Sequence, residues 1–184
     1  KLYTRNGDNG ETFLLFGEKV SKNDLRVECY GAIDECMSYL GAAKSSIQNQ
    51  KDKDIEDLII NIQRKLFIIS SEIACPKNKY REMKKKYKYI TEAMIQEVED
   101  KIDYFQKNTP EIKFFVLPGS TLESSFIDIS RTICRKAERL CVKVKDKDLL
   151  NNDLNLILLN RLSDLLFILA RYIDKEKEYI KASE

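Results

Sequence analysis

Residues 131–139 carry an unusual concentration of charged side chains that could bind an anion. Arg131, Arg135 and Glu138 are spaced at intervals of four and three residues, so a helix places them on one face, with Lys136 and Arg139 beside it. A surface face crossed by i,i+4 salt bridges is the ordinary interpretation of such a pattern. Arginine also binds phosphate oxygens in bidentate fashion and stays charged, so the same face would suit a polyphosphate.

A second polar cluster interrupts the strongly apolar segment 156–172. Asn160 and Asp164 lie about one helical turn apart, flanked by Arg161 and Arg171. Charged side chains in such surroundings either face outward or pair in a partly buried site. An outward-facing set of salt bridges is the more common arrangement, whereas arginines that converge with an amide and a carboxylate would suit a polyphosphate.

The N-terminal segment 4–12 is the third candidate, because its glycines permit backbone conformations that most residues avoid. Gly7 and Gly10 tolerate positive φ, so successive backbone N–H groups can converge on an anion. A Gly-Asp-Asn-Gly sequence is more often only a tight turn. The GxxxxGK[ST] pattern of a P-loop is absent, so this segment predicts a phosphate site only in combination with the two helical faces.

The sequence contains no histidine, which excludes several large classes of mechanism. Ser-His-Asp and Cys-His nucleophiles, HExxH zinc sites and histidine general bases are all ruled out. A ferritin-like carboxylate metal protein is excluded as well, because its Glu-x-x-His pairs need histidine. Any reaction must therefore use carboxylates, arginine, lysine, thiols or a reactive group that a ligand carries.

Length, composition and charge predict a single domain with a buried core. The 184 residues are 43% hydrophobic, and 32 Lys and Arg against 30 Asp and Glu leave a net charge of +2. A near-neutral surface of mixed sign lacks the basic excess of nucleic-acid-binding proteins, so no nucleic-acid partner is expected. The sequence also lacks a run of 18 apolar residues, so no membrane partner is expected either.

Five cysteines at wide intervals are a poor match to a disulfide framework, which predicts a reducing compartment. Cys29 and Cys36, and likewise Cys134 and Cys141, have same-face helical spacing. A four-thiolate metal site is the functional alternative, but CxxC is absent and small buried core thiols are favoured. We therefore expect a cytoplasmic protein, or one of the mitochondrial matrix if a transit peptide has been removed.

Apolar residues recur with helical periodicity from about residue 24 onward and predict five helices. The stripes are Val27, Tyr30, Ile33, Met37, Leu40; Ile55, Leu58, Ile59, Ile62, Leu66, Ile69, Ile73; Ile90, Ile95, Val98, Ile102, Phe105; Phe126, Ile129, Ile133, Ala137, Leu140, Val144; and Leu154, Leu158, Leu162, Leu165, Leu169, Ile173. Modest connections imply an all-α antiparallel bundle over residues 24–180, within one domain of residues 1–184. Residues 1–22 are predicted to be an irregular arm.

Two connections differ from the others. Residues 76–89 are basic and lack an apolar stripe, which predicts a solvated mobile loop, with nucleic-acid binding as the less favoured alternative. Residues 108–121 contain two prolines around a short apolar run, which predicts an ordered, non-helical crossover. At its end, Ser120 or Thr121 is the predicted N-cap of the fourth helix, with Glu123 nearby.

Six short segments carry the most specific pattern in the sequence. They are residues 3–10 (YTRNGDNG), 21–27 (SKNDLRV), 30–35 (YGAIDE), 115–119 (FVLPG), 131–139 (RTICRKAER) and 160–164 (NRLSD). In this order and at this spacing they closely resemble the PduO-type ATP:cob(I)alamin adenosyltransferases. The resemblance extends from residue 3 to about residue 173, and six collinear segments are far more specific than any one of them.

The resemblance implies a ferritin-like left-handed five-helix bundle that forms a homotrimer, with ATP and the corrinoid bound between neighbouring subunits. The implied reaction transfers the 5′-deoxyadenosyl group of ATP to the cobalt of cob(I)alamin, which releases triphosphate and forms adenosylcobalamin. This activity is of the cob(I)yrinic acid a,c-diamide adenosyltransferase type. A reductase and an adenosylcobalamin-dependent acceptor enzyme are the further partners that it implies.

The resemblance also assigns nucleotide-binding residues. They are Thr4, Arg5, Asn6, Gly7, Thr12, Phe13, Lys22, Arg135, Lys136, Glu138, Arg139 and Asn160. Mg²⁺ is expected to bind with ATP through phosphate oxygens, and no protein ligand is assigned to it.

Four residues receive catalytic roles from the resemblance, namely Asp34, Phe115, Arg131 and Arg135. Asp34 and Arg131 match a pair that forms a salt bridge across the subunit interface beside the corrinoid. Phe115 matches an aromatic residue that closes the lower face of the corrin ring and displaces the axial ligand. Four-coordinate cob(II)alamin is easier to reduce, because no axial ligand raises the energy of the added electron. Cob(I)alamin is itself the nucleophile, so the protein needs only to align the reactants and stabilise triphosphate charge.

The sequence departs from the family pattern at several positions. Met37 stands where many relatives have Asn, and Asp128 stands where His is common. Lys136 replaces an Arg and loses its bidentate fork, while Leu25 and Ser120 replace a common Pro and a second Gly. These departures keep a second hypothesis open, a non-catalytic helical bundle that binds ATP or a corrinoid as a sensor or carrier.

Overall fold

Six α-helices make up most of the computed structural model, which describes residue 1 and residues 3–47 and 53–183. They are α1 (Leu25–Ser46), α2 (Lys53–Ile73), α3 (Tyr80–Lys86), α4 (Glu92–Lys107), α5 (Leu122–Asp146) and α6 (Leu154–Ile173). The five long helices coincide with the five apolar stripes, which confirms the predicted bundle. Helix α1 packs against α2 and α5, and α6 packs against α5 and α4, around one core of buried apolar side chains.

The cysteines lie in this core, which confirms the prediction of buried thiols. All five are free and buried, at Cys29, Cys36, Cys75, Cys134 and Cys141. Cys29 Sγ donates to the Ala137 carbonyl at 3.6 Å and Cys36 Sγ to the Ser130 carbonyl at 3.3 Å, so α1 and α5 run antiparallel. Burial raises the pKa of Cys75 to about 11, which keeps that thiol protonated and unreactive at neutral pH.

Helices α4 and α6 are neighbours that run parallel, whereas α5 and α6 run antiparallel. Glu99 bonds to Arg161, and the Phe105 ring packs edge-on against Tyr172 with centroids 4.8 Å apart, so residue numbers rise together in α4 and α6. This arrangement requires the connection from α4 to α5 to cross one end of the bundle. Residues 108–121 form that crossover and contain no helix, as the two prolines predict.

The crossover is paired with the chain that follows α6. Leu117 N donates to the Ile180 carbonyl at 2.9 Å and Ala182 N donates to the Phe115 carbonyl at 2.8 Å, which makes an antiparallel bridge on either side of Val116. The last helix ends at Ile173, so residues 174–180 lie beyond the helices, although the sequence assigns them to the bundle. The reason is compositional, because this lysine- and glutamate-rich segment has no apolar stripe to bury.

The N-cap of α5 is Thr121, one of the two predicted candidates. Its hydroxyl accepts from Ser124 N at 3.2 Å, and the Ser124 hydroxyl accepts from Thr121 N at 3.3 Å, which completes a capping box. Glu123 lies in the first turn, as expected, but takes no part in the capping box. The third helical position after the cap is Ser124, and only a side chain at that position can reach back to the cap.

The N-terminal arm is more regular than its glycine content predicts. Strands β1 (Glu11–Phe13) and β2 (Lys19–Ser21) pair antiparallel around a 3₁₀ turn at Leu15–Gly17. Leu14 is buried, and Leu15 N donates to the Ala74 carbonyl at 2.9 Å, which attaches the hairpin to the end of α2.

The basic segment 76–89, predicted to be a solvated mobile loop, contains helix α3, so these residues are not all loop. Met83 is fully buried, and the Tyr80 hydroxyl donates to the buried carboxylate of Glu72 at 2.6 Å. Glu72 also accepts from Ile90 N at 2.8 Å and from Asn152 Nδ2 at 3.0 Å. A seven-residue helix held by one apolar side chain and one carboxylate outside the helix leaves no periodic signal in the sequence.

Within the described ranges, the structure contains no helix that is both long enough and apolar enough to cross a membrane.

Candidate functional site

The polar residues of α5 and α6 form one continuous hydrogen-bonded face. Asn160 Nδ2 donates to Glu138 Oε1 at 3.0 Å, and Arg161 Nη1 donates to Asn160 Oδ1 at 2.9 Å. Arg161 Nε donates in turn to Glu99 Oε1 of α4 at 2.7 Å. Both ends of the Asn160 amide are therefore engaged, which fixes the orientation of its oxygen and nitrogen at a half-buried position.

Three cations lie beside Glu138 on the solvent-facing side of α5. Arg135, Lys136 and Arg139 are all exposed. Lys136 Nζ lies 3.3 Å from Glu35 Oε2 of α1, and Arg139 Nη1 donates to the Arg135 carbonyl at 3.0 Å. Among the residues that the structure describes, no carboxylate pairs with the Arg135 guanidinium, so its donors remain free for an anionic ligand.

A turn in the N-terminal arm places the Lys22 side chain beside Gly7. Arg5 and Gly10 have positive φ, at 63° and 78°, and Lys22 N donates to the Gly10 carbonyl at 2.8 Å. Gly7 does not adopt the positive φ that a glycine permits. Its hydrogen atom instead leaves space for Lys22, whose Nζ lies 3.1 Å from where a Cβ on Gly7 would be.

The remaining arm residues of the predicted nucleotide site lie on the hairpin or just before it. Thr4 and Asn6 are exposed in the turn, and Thr12 and Phe13 lie on β1, where Phe13 is 50% exposed. Within the described part of one chain, no hydrogen bond or ion pair links this arm to the polar face of α5 and α6. One copy of the chain therefore presents the predicted nucleotide residues as two separate groups.

Phe115 is the most exposed large apolar side chain of the described residues, at 87%. Its main chain is held by the bridge to the tail, so the backbone is fixed while the ring projects into solvent. An aromatic ring in this position has no core to pack against and can cover the face of a large flat ligand.

Asp34 and Arg131, the predicted salt-bridge pair, do not contact each other within one chain. Asp34 is exposed on α1, and Arg131 Nε bonds instead to Asp128 Oδ1 at 2.9 Å. The sequence pattern assigns no chemical role to Asp128. An Asp three residues before an Arg on a helix was the available signal, and it is indistinguishable from an ordinary surface pair.

Asp164 is not brought to the polar face, although it lies one turn from Asn160. It lines a separate cavity of about 600 Å³ under the crossover, together with Phe167 and Ile112. The sequence also gave no role to Glu35 or Glu99. Each is an ion-pair partner more than sixty positions away along the chain from its cation, so only the packing of α1 and α4 identifies it.

Mg²⁺ fits this face only in company with a phosphate ligand. Among the described residues, no group of three or more carboxylates or thiols could hold a metal ion alone. Mg²⁺ usually binds to one or two carboxylates and to substrate phosphates, and Glu138 supplies such a carboxylate beside the three cations.

Comparisons with known proteins agree with this arrangement. Residues 2–173 match the family described as Cobalamin adenosyltransferase. The corrinoid adenosyltransferase of Bacillus subtilis (strain 168) is 37% identical over 175 residues, which cover 95% of this chain and 86% of that protein. Corrinoid adenosyltransferase MMAB of Homo sapiens is 34% identical over 187 residues, or 98% and 74% of the two chains.

A solved structure matches the entire fold. It is a phenylalanine-to-alanine variant of a PduO-type ATP:corrinoid adenosyltransferase from Lactobacillus reuteri, complexed with cobalamin and ATP, at a TM-score of 0.91 and 34% identity over 100% of both chains. The family match covers the arm, the crossover and the polar face of α5 and α6 alike. The chain therefore belongs to the cobalamin adenosyltransferase family.

Proposed function

We propose that this protein transfers the 5′-deoxyadenosyl group of ATP to cob(I)alamin, with release of triphosphate and formation of adenosylcobalamin. The observation that carries the proposal is the cationic face of α5, hydrogen-bonded through Glu138 to Asn160, in a chain whose structural relative was solved with cobalamin and ATP. Such a face supplies fixed hydrogen-bond donors for a polyphosphate, and the reaction itself needs no general base.

The nucleotide is held by two groups of residues. The arm contributes Thr4, Arg5, Asn6, Gly7, Thr12, Phe13 and Lys22, and α5 and α6 contribute Arg135, Lys136, Glu138, Arg139 and Asn160. Arg135 faces the triphosphate with its donors free, so it stabilises the charge that develops on the leaving group. Lys136 adds a point charge, and its pairing with Glu35 limits its freedom to move.

Mg²⁺ accompanies ATP, with Glu138 as the protein carboxylate that shares the α5 face with the three cations. When bound, the ion neutralises part of the negative charge on the phosphate oxygens. The orientation of Glu138 is set by the Asn160 amide, at 3.0 Å. Asn160 therefore orders the nucleotide site even where it does not touch the nucleotide.

The corrinoid lies beside the same helix, displaced from the nucleotide toward the helix N-terminus. Arg131 precedes Arg135 by one turn, about 6 Å along the axis, in the direction of the crossover that carries Phe115. Phe115 covers the lower face of the corrin ring and displaces the axial ligand, and Asp34 of a neighbouring copy pairs with Arg131. Helix α5 thus aligns the two substrates along its length.

The reaction balances without acid or base catalysis by the chain. Cobalt(I) donates an electron pair to the ribose 5′ carbon, the cobalt–carbon bond forms, and the bond from that carbon to the triphosphate oxygen breaks. The oxygen keeps its electron pair, and cobalt becomes formally trivalent. The residues hold the 5′ carbon in line and offset the triphosphate charge, which explains why a sequence without histidine suffices.

The assembly that completes this site is a homotrimer. The support is that, within the described part of one chain, no hydrogen bond or ion pair joins the arm to the α5 face, and a neighbouring copy brings the two groups together on one nucleotide. We further propose that residues 1–184 form one domain and that the protein works in the cytoplasm, where its five thiols stay reduced. A reductase supplies reduced corrinoid, and an adenosylcobalamin-dependent enzyme accepts the product.

An anaerobic assay tests the function. ATP, Mg²⁺ and chemically reduced cobalamin are mixed with the protein, and the visible spectrum is followed for formation of the cobalt–carbon bond. Adenosylcobalamin should accumulate in proportion to enzyme. ATP binding without product at high enzyme concentration would instead support the sensor or carrier hypothesis.

A further inference from the structure

We propose that Asp128 is a positioning residue for Arg131 in adenosyl transfer, an inference that rests on the proposed function. The Arg131 side chain keeps 25% of its surface exposed, whereas the Asp128 carboxylate that it bonds to is 6% exposed. The bond joins Arg131 Nε to Asp128 Oδ1 at 2.9 Å. The buried carboxylate of Asp128 therefore fixes the guanidinium of Arg131, part of which remains exposed at the surface.

Asp128 is itself held from a second direction. Its Oδ2 accepts from Arg171 Nη2 of α6, a side chain that is only 2% exposed. Arg171 lies 4.0 Å from Asp174, and Asp174 accepts from the Thr121 hydroxyl at 2.9 Å. With each carboxylate oxygen engaged, Asp128 cannot rotate without breaking a buried ion pair.

The choice of donor atom decides what Arg131 can still bind. A guanidinium carries five N–H donors in a rigid plane, and Asp128 uses only the one on Nε. Across the part of the chain that the structure describes, no other carboxylate pairs with Arg131. Its two Nη groups therefore remain free, in a fixed plane, for an acceptor beside the corrin ring.

This arrangement removes a cost of binding. An unanchored arginine loses considerable rotamer freedom when a ligand orders it. Asp128 restricts the Arg131 side chain when the protein folds, so binding of the substrate no longer has to restrict it. We expect Asp128 to strengthen the binding of the corrinoid, because Arg131 is on the corrinoid side of α5. The affinity for ATP should be largely independent of Asp128.

A double-mutant cycle separates this role from the structural role of the buried Asp128–Arg171 pair. Asp128→Asn and Asp128→Glu are each made in the native and Arg131→Ala backgrounds. The rate of adenosylcobalamin formation is then measured while the concentration of cob(I)alamin, and separately that of ATP, is varied. Loss of one charge-assisted hydrogen bond corresponds to about a tenfold fall in kcat/KM for cob(I)alamin in the native background. The same substitutions in Arg131→Ala should change kcat/KM by less than about twofold, and the KM for ATP should stay within about twofold throughout.

Thr121→Ala is the matched control, because it breaks the Asp174 side of the same cluster and leaves the Asp128–Arg131 bond intact. It should lower the unfolding midpoint and leave kcat/KM for cob(I)alamin unchanged. Should Asp128→Asn fail to fold because Arg171 loses its partner, Asp128→Glu carries the cycle, since it keeps the charge and moves the carboxylate by one methylene.

Equal losses in the two backgrounds, an equal rise in the KM for ATP, or full activity in both Asp128 variants would each overturn the proposal. These results differ from a failure of the proposed function, which the native protein reveals by forming no adenosylcobalamin. An active native enzyme with an additive cycle removes Asp128 from the mechanism and leaves the adenosyltransferase intact.

Discussion

Removal of the Phe115 ring should slow the formation of adenosylcobalamin from cob(II)alamin much more than its formation from cob(I)alamin. The ring is 87% exposed and the main chain, through the carbonyl that accepts from Ala182 N, carries the bridge to the tail. Phe115→Ala therefore deletes a ligand-facing group and leaves the crossover in place. We expect its thermal midpoint to match that of the native protein, because exposed substitutions usually change the free energy of unfolding by less than about 0.5 kcal/mol.

The magnitude follows from the area that one face of the ring can cover. Contact with the corrin ring would remove on the order of 80 Å² of phenyl surface from water, which is worth about 2 kcal/mol at about 25 cal/mol per Å². This corresponds to about thirtyfold weaker corrinoid binding. At saturating cob(I)alamin, which carries no axial ligand to displace, kcat should stay within about threefold of native, since the arginines of α5 are untouched.

Cob(II)alamin behaves differently, because the axial ligand returns to cobalt when the ring is absent and reduction becomes harder. The assay follows adenosylcobalamin formation from cob(II)alamin with a flavin reductant and from pre-reduced cob(I)alamin, both at saturation. The rate from cob(II)alamin should fall much further than the rate from cob(I)alamin. Phe114→Ala, at a ring next in the chain with 36% exposure, is the matched control and should spare both reactions. Equal losses from both starting states would refute the axial role of Phe115.

Three further changes test the nucleotide site and the ends of the bundle. Arg135→Ala should lower kcat by about 100-fold through loss of charge stabilisation at the triphosphate, and near-native turnover would remove this residue from the mechanism. Burial raises the pKa of Glu72 in the folded protein above its ordinary 4.5, because the buried site disfavours the charged carboxylate. The folded state therefore keeps its full stability below about pH 4.5 and loses part of it as pH rises through the raised pKa. Urea unfolding should show native and Glu72→Gln proteins diverging over that window in favour of the variant, and parallel pH profiles would contradict this assignment. Thr121→Ala should cost about 1–2 kcal/mol of unfolding free energy, because it removes the cap of α5 and the bond to Asp174, and a loss under about 0.5 kcal/mol would show that neither matters.

The helices and the chemistry of their faces could be predicted because both depend on spacing within one element. Arg135 and Glu138 share a face through the geometry of a helix alone, and the structure places both on the solvent-facing side of α5. The buried thiols of Cys29 and Cys36 follow from the same rule. Neither prediction needs any knowledge of how the helices pack.

The partners of these residues could not be predicted, because they come from distant parts of the chain. Lys136 pairs with Glu35 across 101 positions, and Glu72 bonds to Asn152 across 80. Pairings of this kind depend on which helices become neighbours, and helical periodicity is silent about that. Helix α3 was missed because it has no apolar stripe of its own, and its stability comes from the bond to Glu72 and the burial of Met83.

The sequence by itself determined the kind of chemistry that is available, namely cations and an amide on two helical faces, a glycine-containing arm and no histidine. Residue type and local spacing are properties of the chain, so they survive any change of packing. Only the tertiary structure decided that Arg171 of α6 holds the carboxylate of Asp128 beside Arg131, and that the tail fixes the backbone of Phe115. Both contacts join residues that are far apart in the chain, and they form because the fold brings α5, α6 and the crossover together at one end of the bundle.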